Sequence, residues 1–141
     1  MSFSKVFPLP IGLLCVGALL CLGGCLSHSS APERRTITPG TDIEIVDSFF
    51  TTSVTSSVSI VFRNAQKFRL PSFYMDYSLT CDNSYKKYAS DYFSFSSNEQ
   101  LTGSYYTGLD AKSCTFTITA IRPQYDDSYD NWVGSYPIAI K

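Results

Sequence analysis

The amino-acid sequence predicts an all-β domain, an antiparallel β-sandwich of about seven short strands, and three observations point to it. Apolar and polar residues alternate with a period of two from Phe73 to Cys81 and again from Ser113 to Ile121. Ser, Thr, Tyr and Phe are abundant while Ala and Leu are scarce after residue 30, a composition that favours strands over helices. Turn chemistry punctuates the chain at Asn64, Pro71, Asp82-Asn83-Ser84, Ser97-Asn98, Gly108 with Asp110, and Pro123. About seven strands in roughly 100 residues are what one sandwich needs.

Each strand has its own signature. Asp42 to Phe50 offers Ile43 and Ile45 in phase, and Ser57 to Arg63 offers Val58, Ile60 and Phe62. From Phe73 to Cys81, the residues Phe73, Met75, Tyr77, Leu79 and Cys81 share one face, with Tyr74, Asp76, Ser78 and Thr80 on the other. Shorter strands are expected at Tyr92 to Phe95, Leu101 to Tyr106 and Tyr136 to Ile140. In Ser113 to Ile121 the expected core face is Cys114, Phe116, Ile118 and Ala120. Cys81 and Cys114 thus both lie on apolar faces, which predicts a disulfide in the core. The loop it closes is about 33 residues long, for which the chain-entropy relation gives roughly 3.5 to 4 kcal/mol.

The N-terminus has a different character. Lys5 is followed by a run without charge from Val6 to Leu22, ending on Gly23 and Gly24, the pattern of a secretory signal. Leu22-Gly23-Gly24-Cys25 resembles the lipobox of bacterial lipoproteins, a Leu three positions before the cysteine with two small residues between. That resemblance covers only the first 25 residues. It implies a signal peptide at 1–24, cleavage before Cys25, and diacylglyceryl and palmitate-type acyl chains on that cysteine. Two or more chains hold a protein stably on a membrane. Leu26 stands where an Asp signals inner-membrane retention in Gram-negative relatives, so the implied location is the cell outer membrane, on its periplasmic or surface-facing side. Pro8, Pro10 and the glycines make the run a poor long helix, which argues against an uncleaved transmembrane anchor. Residues 25–40 are polar and without apolar period, expected to be a flexible tether in which Arg34 and Arg35 are solvated, and residues 41–141 form the sandwich domain.

Composition narrows the function. Without residues 1–24 the chain has ten basic and twelve acidic residues, a net charge near −2 that favours neither nucleic acid nor anionic lipid. The sole histidine, His28, lies in the tether, so His-based catalysis and metal sites are not expected in the domain. No glycine-rich phosphate loop is present. The expectation is therefore a non-enzyme without cofactor or metal. Trp132 follows both domain cysteines instead of lying between them, unlike an immunoglobulin domain, so the prediction is a generic sandwich of immunoglobulin-like or transthyretin-like architecture.

The segment from Pro123 to Ser135 stands out. Tyr125, Tyr129 and Trp132 alternate there with Asp126, Asp127 and Asp130, which nominates Tyr125, Asp126, Asp127, Tyr129, Asp130 and Trp132 as a partner-binding loop. The competing expectation is that Trp132 and one Tyr fold back to cap the sandwich. Asp126, Ser128 and Asp130 have the spacing of an EF-hand loop, but Asn131 replaces its glycine and Pro137 its bidentate glutamate, so calcium is not expected. Two functions fit: a membrane-anchored protein-binding or assembly module, an accessory of a secretion or surface complex, or a protective lipoprotein that inhibits a hydrolase or shields a receptor.

Overall fold

The computed structural model describes residues 33–51 and 56–141. Cys25, the segment expected to be a signal peptide and most of the expected tether lie outside the described residues. The compact unit runs from Arg34 to Lys141. Among the described residues nine strands follow in order: β1 Arg35–Thr36, β2 Ile43–Thr51, β3 Ser57–Asn64, β4 Phe73–Cys81, β5 Lys86–Phe93, β6 Gln100–Tyr106, β7 Cys114–Pro123, β8 Tyr129–Asp130 and β9 Trp132–Ile140. The seven long ones form two antiparallel sheets, β2-β3-β6 and β5-β4-β7-β9, while β1 and β8 make a short parallel pair. This is a β-sandwich of immunoglobulin-like strand order, with β5 joined to the sheet of β4.

The inner faces come from the alternation visible in the sequence. Val58, Ile60 and Phe62 of β3 and Phe73, Met75 and Leu79 of β4 are fully buried. Phe62 bridges the sheets, its ring centroid 5.3 Å from Phe93 and 6.2 Å from Phe116. Aromatic pairs of this kind add about 0.5 to 1.5 kcal/mol beyond area burial.

Three expectations need correction. The alternation in β7 does not run through: a bulge opposite Asp76/Tyr77 leaves Thr119 without a ladder partner, so Ile121, not Ala120, turns into the core. A bulge adds one residue to one strand and reverses its phase beyond that point. The strand expected at Tyr92–Phe95 begins at Lys86, because β5 is a sheet edge whose core-side positions Lys87, Ala89 and Asp91 carry almost no apolar signal. Finally, the flexible tether does not extend to residue 40. Ile37 is fully buried, and Thr38 N–H donates to Asp42 Oδ2 at 2.7 Å, so residues 34–40 are part of the folded unit.

The disulfide joins Cys81 to Cys114, directly opposed residues of the adjacent strands β4 and β7, with Cα atoms 4.0 Å apart. It is buried, yet it lies within one sheet at its end, whereas the conserved bridge of antibody domains crosses between sheets.

Candidate functional site

The connection from β7 to β9 lies at the end of the sandwich where the chain enters. Its length is shorter than the sequence suggests, since β7 continues to Pro123 and β9 begins at Trp132, and β8 occupies part of the interval. Gln124 N–H donates to the Ser72 carbonyl at 2.7 Å, which fixes the loop against the β3–β4 connection. Asp126 then closes a local turn, its Oδ1 accepting from Ser128 N–H at 2.9 Å and from Ser128 Oγ. Those bonds to Ser128 hold the Asp126 carboxyl below the usual carboxylate range. A side chain that bonds its own backbone two residues on is a standard device for turning an exposed loop.

Asp130 has a long-range partner. Arg34 Nη1 donates to Asp130 Oδ1 at 2.8 Å, and Arg34 Nη2 donates to the Asp127 carbonyl at 3.1 Å. Alongside, Arg35 N–H donates to the Ser128 carbonyl at 3.0 Å. The arginine expected to be a solvated part of a linker is instead a latch that fastens the entering chain to this loop. As an exposed pair it contributes roughly 0 to 1 kcal/mol, and its consequence is positional.

The six nominated residues therefore divide. Tyr129 and Trp132 are half-buried against the core, as the capping expectation has it. The Trp132 indole lies back over Gly134, where an added Cβ would come within 2.7 Å of the ring. Asp126 and Asp130 are committed to Ser128 and Arg34. Tyr125 is 97% exposed with a positive φ of 59°, and Asp127 is exposed beside it. Tyr125 and Asp127 alone project outward as a recognition loop requires. The carboxylates of Asp126 and Asp130, which the EF-hand spacing would bring together, are turned to different partners.

Tyr125 forms one lip of an open groove of about 370 Å³. Arg69, Leu70 and Pro71 line its other wall, with Gln124, Asp126 and Tyr129 on the Tyr125 side. Asn64, buried at the end of β3, organises this wall by donating from Nδ2 to the carbonyls of Phe68 (2.9 Å) and Ser96 (3.0 Å). Asn64 carries only a turn signal in the sequence, and Arg34 and Arg69 carry no signal of a site. Across the outer face of the four-stranded sheet, Arg122 grips Asp76 in a two-pronged pair of 2.8 and 3.1 Å and covers the Tyr74 ring at 5.5 Å. Arg122 holds the Asp76 carboxyl below its ordinary range.

Comparison with protein-family models, curated proteins and solved structures finds no match for this chain. The functional reading therefore rests on its own residues and geometry.

Proposed function

We propose that this protein is a membrane-anchored envelope lipoprotein whose β-sandwich serves as a protein-binding or assembly module. The observation that carries the reading is the Leu22-Gly23-Gly24-Cys25 motif, placed a few residues ahead of a folded unit that begins at Arg34. Fully extended, the chain from Cys25 to Arg34 reaches at most about 30 Å, so acylation at Cys25 keeps the domain close to the bilayer. The latch between Arg34 and Asp130 makes the end bearing Tyr125 the one at which the tether arrives.

The test is metabolic labelling with a radioactive fatty acid. Wild-type protein takes up label and runs as the shorter, processed form. Cys25→Ser takes up none and keeps its signal segment, and label on that variant overturns the anchor.

A further inference from the structure

At the end of the sandwich opposite the Arg34 latch, the β4–β5 turn and the β6–β7 connection are braced against each other. Asn83 Nδ2 donates to the carbonyls of Thr107 and Leu109, both at 2.9 Å, while Asn83 Oδ1 accepts from Tyr85 N–H at 3.1 Å. Asp82 Oδ1 accepts from Lys112 N–H at 3.0 Å, and Asp82 N–H donates to the Ser113 carbonyl at 3.0 Å. The disulfide ties the bases of the two segments together. Gly108 has a φ of +76°, and a Cβ there would come within 2.9 Å of Asn83 Nδ2, so the brace depends on glycine at that position. The result is a preordered tip that holds Leu109 outward, 64% exposed, with Tyr106 half-exposed at the end of β6 three residues earlier. Conformational freedom given up on folding is not lost again on binding, which favours such a tip as a contact surface.

Charge gives this tip its partner. Of the five lysines after residue 33, four lie at this end: Lys86 and Lys87 at the start of β5, Lys112 in the β6–β7 connection, and Lys141 after β9. Lys141 lines a hollow with Cys81, Asp82 and Cys114. Every ion pair among the described residues uses arginine, and none lies here. Asp82 and Asp110 supply the negative charge in the two braced segments, two carboxylates against the four lysines at this end. Four of the six lysines of a chain with net charge −1 thus lie around one tip that exposes Leu109.

We propose that this tip is a docking surface for an acidic protein segment, its carboxylates meeting Lys86, Lys87 and Lys112 and an apolar side chain covering Leu109. The proposal deepens the binding-module reading and rests on it, but not on the lipid anchor. Charge complementarity of this kind speeds encounter and selects partners, while a central apolar contact supplies residence.

The experiment measures fluorescence anisotropy of a labelled 12-residue peptide of alternating Glu and Leu, added to the full chain in neutral detergent. Binding is expected to weaken at least tenfold in Lys86→Glu/Lys87→Glu/Lys112→Glu and in Leu109→Asp, with thermal unfolding unchanged, because all four side chains are exposed. A Glu/Ser peptide is expected to bind at least tenfold more weakly, and Tyr125→Ala to change nothing. Binding lost in Tyr125→Ala and kept in the lysine variant rejects this surface while leaving a binding module. Equal binding of heparin with no effect of Leu109→Asp also overturns the proposal, as a mere polyanion site. No binding of either acidic peptide overturns it too, and the module reading is then decided separately by pull-down from envelope extracts.

Discussion

Tyr105 is the residue whose chemistry fits its surroundings least comfortably. Its ring packs 5.0 Å from Tyr77 and 4.8 Å from Phe116, and its hydroxyl is buried with no hydrogen-bond partner among the described residues. Burial, with the negative charge of Asp91 adding to it, pushes the Tyr105 hydroxyl far above its ordinary value and that of Tyr77 up to about 12. For an acid whose folded pKa is raised, the stabilisation is fully present below the unfolded value near 10 and is lost as pH climbs through the folded value. The domain is therefore expected to lose stability from about pH 10 upward. An unpartnered buried hydroxyl costs roughly 1 to 3 kcal/mol, so Tyr105→Phe is expected to leave stability at pH 7 unchanged or raise it by about 1 kcal/mol. The same variant should show a smaller loss between pH 10 and 12, as urea denaturation at each pH would report. A loss of 2 kcal/mol or more at pH 7 would mean that the hydroxyl has a partner after all. Nothing in the sequence marks this residue, because Tyr105 lies in a short strand whose inner face is shared with Gly103 and Leu101. Whether a tyrosine tip reaches a partner depends on what the other sheet places opposite it. Periodicity does not carry that information.

At the scale of elements, the strands were legible wherever a sheet has one wet and one dry face. β4 follows its alternation from Phe73 to Cys81 without interruption, and the sequence locates both of its ends. Where a second influence enters, pattern reading fails for an identifiable reason. β5 is an edge and needs little apolar surface, β7 is bulged, and β1 is held by a neighbour 93 or more residues away in the chain. That last case changes where the domain begins. Ile37 is buried beneath a segment whose composition reads as linker, flanked by Arg35, Thr36, Thr38 and Pro39. One isolated apolar residue among polar ones carries no period, so the sequence had nothing to announce it. The expected consequence is that Ile37→Ala destabilises the protein by about 2 to 5 kcal/mol, as for other buried aliphatics. Arg34→Ala should cost less than about 1 kcal/mol, since its pair with Asp130 is exposed. A change below 0.5 kcal/mol for Ile37→Ala in chemical denaturation would place residues 34–40 outside the cooperative unit. The nominated loop divides for the same reason: composition identified its aromatics and acids, but only the fold decides that Tyr129 and Trp132 turn inward while Tyr125 stays out.

Taken as a whole molecule, the two ends of the sandwich present different surfaces. The end at which Arg34 enters carries the groove beside Tyr125 and is tied to the incoming chain. Strands of nine residues rise about 30 Å, which sets the lysine-rimmed tip at the far end. An anchor of short reach at Cys25 would hold the first end near the bilayer and turn the tip toward proteins beyond it. All of this depends on how the mature chain begins, and the mass of the intact protein extracted from cell membranes reads that directly. The expected chain starts at Cys25 and is heavier than its amino acids by a diacylglyceryl group, with or without a further acyl chain on the new amino group. A mass matching the unmodified chain, whether uncut at Met1 or cut at another position, rules out a lipid anchor at Cys25.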